Sequence, residues 1–421
     1  MVAISQNPTT QSTLPQTAPC PAENMRKTGT VTHIPDTPVM QAEDGVWHIS
    51  GFNEVRQVLR HDAVIQAGFS AERTRKDGMS IMKNPPILFL DGEEHHRMRR
   101  ETNRFFTPAI TDRDYRDFMD AYADELMARL QHKKRLDLSD ISMDMAVRVA
   151  SKVVGLTSSI MPHGMKARLE SLIALGNNIL YDDAGRIEKA IRAAQSQWNM
   201  GSFYLLDVQP AIRARRKTPQ NDVISYLLER DYSGLDILTE CLVYGVAGMV
   251  TTREFISVAL WHLLENPHLA ERMRVGEQKE RYAILHEILR LEPVVSHLYR
   301  RAQQDITIES NGQTMTIPAG AKMDLYILGA NIDETVVGNN PMAVCPMREM
   351  TETRPKVQEM VLSFGDGAHR CPGAYVAIQE SDIFLRKLLA QPGLRIEQKP
   401  NIAYSKIIES YELRDFIISV D

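Results

Sequence analysis

The chain lacks most features that would assign it at a glance. Its four cysteines, Cys20, Cys241, Cys345 and Cys371, include no CxxC pair. That excludes a zinc knuckle, a thioredoxin-type redox motif and CxxCH haem attachment. Thiols this scattered in a long chain argue against disulfides and for a reducing compartment. Aromatic residues are scarce, at 6%. No Gly/Ser linker and no internal repeat divides the 421 residues, so one domain is expected over 25–421. No apolar run reads as long enough to span a bilayer; the longest, 241–250, is broken by glycines. The N-terminus has no basic start before an apolar stretch, so 1–24 reads as a disordered tail and not a signal peptide. The net charge of −5 argues against a general nucleic-acid binder. A cytoplasmic protein without membrane insertion is expected.

What is present is a helical pattern. Apolar residues make up 43%, ordinary for a globular chain, and the 21 methionines suit adaptable cavities. Helical periodicity predicts helices over 53–60, 94–106, 115–130, 139–154, 165–179, 186–216, 222–229, 235–264, 267–274 and 281–291. Strand signals are confined to 46–49, 306–317 around the Asn311-Gly312 turn, and 322–327. The span 338–365 reads as a long irregular loop, which in a compact protein is usually functional. The expected fold class is mainly α with a smaller β-rich portion.

Cys371 is the most informative residue. It sits in Phe364-Gly365-Asp366-Gly367-Ala368-His369-Arg370-Cys371-Pro372-Gly373, with an apolar helical stretch following from Ala374. Glycines let the backbone approach closely and take φ > 0. The helix start points free N–H groups toward the sulfur, which is expected to favour thiolate over thiol. A merely buried cysteine would explain neither the glycines nor His369-Arg370.

Three further patterns stand upstream. Glu287 and Arg290, at i,i+3, share a helical face; read alone they are a solvated pair of little energetic weight, and Glu292 beside them reads as an exposed charge. His286-Glu287 is not a zinc-protease helix, because Arg290 stands where a second His is needed. Ala247-Gly248-Met249-Val250-Thr251-Thr252 interrupts a long apolar helix with poor helix formers. Threonine hydroxyls can bond back and open the turn, so a bent helix beside a ligand is expected. His95 and Arg99, at i,i+4, present a basic face that can hold an anionic carboxylate, although taken alone they read as a solvated basic face.

In this order the four patterns resemble the cytochrome P450 family of haem-thiolate monooxygenases, over about 91–380. The thiol loop matches its Phe-x-x-Gly-x-x-x-Cys-x-Gly pattern at Phe364, Gly367, Cys371 and Gly373. Glu287 and Arg290 match its Glu-x-x-Arg pair, and Arg348 the third member of that triad. Ala247, Gly248, Thr251 and Thr252 match the oxygen-binding stretch. His95, Arg99, Arg300 and His369 match haem-propionate contacts, with Gly365 beside the loop's invariant positions. The chain departs from the pattern twice. Val250 replaces the acid that usually precedes the threonine, and Val344-Cys345-Pro346 replaces an aromatic-Asp-Pro pattern.

The resemblance implies the triangular, helix-rich fold of that family and a b-type haem, iron protoporphyrin IX, ligated by the Cys371 thiolate. Donation from a thiolate favours O–O cleavage. It also implies insertion of one atom of O2 into a hydrophobic small molecule: a terpenoid, steroid, fatty acid or other secondary metabolite. No flavin or iron–sulfur module fits in the chain, so electrons come from a ferredoxin or flavodoxin with its reductase, docking near Arg97, Arg100 and Arg104. Substrate-facing positions are expected within 66–90, 242–251 and 294–298, with Ser296 and His297 as polar handles. With the acid absent, catalytic proton delivery falls to Thr251, Thr252, water or a substrate group. Val250 keeps open a peroxide-dependent or non-oxygenating haem-thiolate enzyme, such as an isomerase or dehydratase. A haem sensor without turnover is the remaining alternative.

Overall fold

The computed structural model describes residues 24–29, 37–69, 71–72, 83–179, 185–346, 348, 350, 361–406 and 408–421. The tail expected over 1–24 therefore lies, but for its last residue, outside the described residues. A central helix, Gly234–Glu265, organises the rest. It opens on a capping box: Ser233 Oγ accepts from the Asp236 N–H at 3.2 Å, and the Asp236 carboxylate accepts from the Ser233 N–H at 3.1 Å. It ends at Asn266, whose side chain caps the next helix, Pro267–Val275, by accepting from Leu269 N at 3.2 Å. Its apolar residues run nearly all round, so it is enclosed on most sides. Leu138–Val154 packs along it, and at Gly248 the two helices come close enough that a Cβ would stand 3.6 Å from Ala150 Cβ.

Against expectation, this helix is long and apolar enough to cross a membrane by length and composition, with a mean hydropathy of 1.3 in its best window. It also buries Asp236, Glu240, Arg253 and Glu254, the behaviour of a protein core helix. Its apolar residues Val250, Phe255, Ile256 and Leu260 join Ile284 and Ile288 of the Gln278–Leu291 helix and Phe384 and Leu388 of the Ala374–Leu389 helix in one cluster. That cluster fixes the helix bearing Glu287 and the helix following Cys371 against the central helix.

The predicted helices form, with boundaries moved by a few residues. The stretch predicted as one helix over 186–216 is broken: Arg186–Phe203 passes through a π turn, Tyr204–Val208, into Gln209–Lys217. Pro210 stands at that junction and has no N–H for the carbonyl one turn back. The β portion is larger than predicted. A five-stranded sheet runs in the order Val39–Gln41, Trp47–Ile49, Lys322–Tyr326, His297–Ala302, Val64–Gln66. The Asn311-Gly312 hairpin forms as expected, pairing Ile306–Ser310 with Gln313–Ile317. Strands Arg395–Gln398 and Ile417–Ser419, neither anticipated, assemble with Arg135–Asp137 from far away in the chain.

Candidate functional site

Cys371 lies between the turn Gly367–His369 and the Ala374–Leu389 helix. Its N–H donates to Phe364 O at 2.9 Å, closing the loop on itself, while the half-buried Phe364 packs against the main core. Gly365 and Gly367 have φ of +69° and +66°. At Gly367 a Cβ would stand 2.1 Å from Leu59 O, so the loop can cross the Phe52–Leu59 helix only with glycine there. Asp366 fixes the crossing, accepting from Arg56 Nε at 3.1 Å and Arg60 Nε at 2.8 Å. A Cβ on Gly373 would lie 3.9 Å from Cys371 Sγ, and the Gly373 and Ala374 N–H groups reach the sulfur as expected.

Those donors do not win. Cys371 is exposed, yet protein crowds it closely enough that desolvation pushes its thiol pKa up; the Gly373 N–H and the Arg99 and Arg370 charges offset that only partly. A cation bound at the sulfur would favour the thiolate in the same sense as those donors.

A cationic cradle stands beside the sulfur. Arg99 donates to Arg370 O, immediately before Cys371. His95 stacks on His369 with ring centroids 4.1 Å apart. His369 Nε2 meets Asp91 Oδ1 at 3.1 Å, and Asp91 also accepts from Gln66 N at 3.1 Å. Arg300 is buried, bonded to Gln66 Oε1 and donating to Tyr299 O at 2.9 Å. Desolvation lowers the Arg300 pKa to about 10, against the pull of Asp91. Desolvation, with His369 and Arg99 adjacent, lowers His95 to about 3. His95 Nδ1 is buried without a partner among the described residues. Two arginines and two histidines facing mainly Asp91, one of them with an orphaned nitrogen, fit a ligand carrying carboxylates. The donor set thus fits a haem: a sulfur for iron and a cradle for propionates.

The Glu287–Arg290 pair is not a surface pair. Arg290 is fully buried, donating to Glu287 Oε1 at 2.7 Å and Oε2 at 3.1 Å, and to the carbonyls of Pro341, Ala343 and Asn331. Arg348 donates to Glu287 Oε2 at 3.1 Å and to the carbonyls of Val337 and Ala343. Together they bind the carbonyls of Asn331, Val337, Pro341 and Ala343 to one carboxylate. Cys345 N–H completes the knot on Glu287 Oε2 at 2.9 Å. Cys345 itself is disulfide-bonded, which corrects the expectation of free thiols; spacing along a chain does not report distance in space.

Glu292 also overturns its reading as an exposed charge. It is fully buried, accepting from Thr28 Oγ1 at 2.5 Å, from Lys27 N, and from Arg26 Nε at 3.4 Å, with His262 Nε2 at 3.0 Å. Nothing in the local sequence marks it, because its partners come from the other end of the chain.

On the central helix, Ala247 is exposed although the helix is otherwise a core element, and Gly248 is half-buried. Thr251 is partly exposed and its hydroxyl donates to Ala247 O at 2.6 Å; Thr252 is buried. The expected opening of the helix is absent, since Gly234–Glu265 is continuous α-helix. At Gly248 a Cβ would make only ordinary contact with Ala150, so packing does not require the glycine. Val250 is 1% exposed and belongs to the core. Of the expected polar handles, Ser296 is buried against Ser410 at 2.7 Å and His297 is bonded to Asp324 at 2.9 Å. Most of the expected substrate-facing stretch 66–90 lies outside the described residues or is packed. Sequence reasoning missed Asp91, Gln66, Asp366, Arg56 and Arg60, which orient the loop and the cradle. Only Asp366, an Asx residue before a glycine, carried a local turn signal.

The sequence profile of the Cytochrome P450 family matches residues 39–279 and 282–403. A relative named biotin biosynthesis cytochrome P450, from Bacillus subtilis, is 26% identical over 83% of this chain and 84% of its own. A C-19 steroid 1alpha-hydroxylase from Sorangium cellulosum is 25% identical over 76% of this chain and 78% of its own. Among solved structures, P450BioI in complex with an acyl carrier protein bearing hexadec-9Z-enoic acid superposes with a TM-score of 0.72. It is 23% identical, covering 91% of this chain and 95% of that one, and supports the fold.

Proposed function

Because the chain belongs to the cytochrome P450 family and is a monooxygenase, we propose that Cys371 ligates a b-type haem whose substrate is a hydrophobic small molecule. The single observation carrying the ligand assignment is the thiol loop: Gly367 against Leu59 and two N–H groups on the sulfur hold one cysteine fixed and accessible. When bound, the haem supplies the oxidising chemistry, taking one atom of O2 to substrate and the other to water. The protein's own residues do the rest. The Gly373 and Ala374 N–H groups moderate charge on the sulfur. Arg99, Arg300, His95 and His369 hold the propionates, whose charge offsets the desolvation those side chains suffer. Ala247 is small and exposed, and Thr251 stands one turn away to hold a proton at its hydroxyl.

The half-buried Leu242, Val243 and Val246 of the central helix support an apolar substrate. Monooxygenases of this family use redox partners; a ferredoxin or flavodoxin with its reductase is our finer assignment, docking on the exposed Arg97, Arg100 and Arg104. We place the enzyme in the cytoplasm on its likeness to bacterial relatives. The test is turnover of a steroid and fatty-acid library with surrogate ferredoxin, reductase and 18O2. One labelled oxygen per product molecule is expected. Turnover with peroxide alone, and none with redox partners, replaces this reading by the peroxide-dependent alternative that Val250 suggests.

A further inference from the structure

Oxygen activation consumes protons, and the side chains nearest Thr251 are poorly placed to supply them. Val250 is packed in the core. Glu254 is fully engaged, its oxygens accepting from Leu413 N at 2.7 Å, Arg253 Nε at 2.9 Å and Arg414 Nη1 at 2.8 Å. The Thr251 hydroxyl is turned back on Ala247 O.

The preceding turns of the same helix are different. Glu240 is fully buried; its Oε1 accepts from Ile87 N at 2.9 Å, and its Oε2 has no partner among the described residues. One turn on, the Tyr244 ring stacks on Phe106 with centroids 5.8 Å apart. Its hydroxyl is buried beside Thr102, without a partner in normal hydrogen-bond geometry. Asp236, one turn before Glu240, is bonded to Asn84 Nδ2 at 3.0 Å near the helix start. Leaving a buried oxygen unpaired is costly, and an apolar side chain at either position would avoid that cost. Positions 240 and 251 are separated by close to three turns, so Asp236, Glu240, Tyr244, Ala247 and Thr251 lie along one side of the helix, spaced at about 6 Å per turn or less.

Resting on the monooxygenase reading, we propose that Glu240 and Tyr244 form the buried part of a proton path along the central helix, standing in for the acid missing at position 250. Glu240 holds the proton on Oε2. It passes through water to the Tyr244 hydroxyl oxygen, to which no direct hydrogen bond joins it, as that hydroxyl gives its own proton, through a second water, toward Thr251. Tyr244 ends unchanged, and Glu240, left as carboxylate, regains a proton from the Asp236 end. No group changes oxidation state. Burial, reinforced by Asp236 and opposed by the Ile87 N–H, raises Glu240 to about 8, so it is a protonated donor at neutral pH. The other titratable groups facing the pair are Tyr232 and Cys241 near Glu240, and Arg99 and Tyr226 near Tyr244.

The test uses the full-length, haem-loaded protein with redox partners and a substrate that the wild type oxidises. Glu240→Gln keeps an acceptor for Ile87 N–H, and Tyr244→Phe keeps the ring. Both are expected to retain the thiolate spectrum and NADH consumption, while product per NADH falls roughly 10-fold or more and peroxide appears instead. Peroxide-driven turnover is expected to survive. Independently of activity, difference infrared spectra of the wild type should show a protonated carboxyl band that titrates near pH 8. That band should be missing in Glu240→Gln. Should Glu240→Gln fail to fold, Tyr244→Phe carries the same coupling prediction. Unchanged coupling in the folded variants, or no such carboxyl band, overturns the path while leaving the monooxygenase reading intact. A wild type that never turns over with redox partners overturns both.

Discussion

Replacing Glu292 by alanine is expected to destabilise the protein by about 3–5 kcal/mol, the range for removing one partner of a buried charged cluster. The figure follows from what would be stranded. His262 and Arg26 lose their carboxylate, and the Lys27 N–H and Thr28 hydroxyl lose their acceptor. Each abandoned buried group costs about 1–3 kcal/mol before water or relaxation recovers part of it. The loss is a large fraction of a typical total of about 5–15 kcal/mol. The effect should spread, because Met25 N–H also bonds Met342 O at 3.0 Å, within the stretch that Arg290 and Arg348 hold together. Glu292→Gln keeps the size but turns an NH2 toward donors, and should cost less than alanine. Glu271, an exposed acid paired among the described residues with Arg274 on its own helix, is the control and should leave the unfolding midpoint unmoved. Urea unfolding of the haem-loaded proteins gives the comparison, read as a shift in midpoint at constant slope. The pH dependence has a definite sign. Burial would raise the Glu292 pKa, but His262, Arg26 and the Lys27 N–H outweigh it and hold the group below its ordinary value. Its contribution is therefore present above the unfolded-state pKa and is lost as pH falls through the folded one, so the wild type should lose more stability on acidification than Glu292→Gln. An alanine variant with the wild-type midpoint would refute the reasoning.

Four other outcomes follow from the site. Gly365→Ala, with φ of +69° but its closest neighbours 3.9 Å away, should cost about 1–2 kcal/mol of left-handed strain. Gly367→Ala, whose Cβ would meet Leu59 O at 2.1 Å, should abolish stable haem loading, as checked by the ratio of haem to protein absorbance. His95→Ala and Arg99→Ala should speed haem loss to an apo-globin acceptor while leaving thiolate ligation intact, since each removes a contact to a carboxylate. Thr251→Ala should divert electrons to peroxide while the buried Thr252→Val does so far less, measured as product per NADH.

The long helices were legible because their apolar residues repeat at helical spacing and their ends carry local signals, as at Ser233 and Asn266. The thiol loop was legible because a pattern of glycines, an aromatic and a cysteine is contiguous. The strands near the C-terminus were not, because Ile417–Ser419 is defined by pairing with Arg135–Asp137 and carries little alternation of its own. The same holds for Glu292, whose burial depends on residues 26–28, and for Asp366, whose partners Arg56 and Arg60 lie far upstream. The surroundings of Cys371 were legible only in part. Helix N–H groups can be inferred from sequence, but the desolvation opposing them is a property of the packed structure. Arg290 shows the converse, since spacing alone gave it a surface pair and only the three carbonyls it reaches reveal a buried hub.

The most direct test of the central assignment is the spectrum of the reduced, carbon-monoxide-bound protein with Cys371 replaced by alanine, beside the wild type. The wild type should show the red-shifted Soret band that an axial thiolate produces, and the variant should lose it while His95 and Arg99 variants keep it. A Cys371→Ala protein that retains haem and the red-shifted band would contradict the assignment of Cys371 as the ligand.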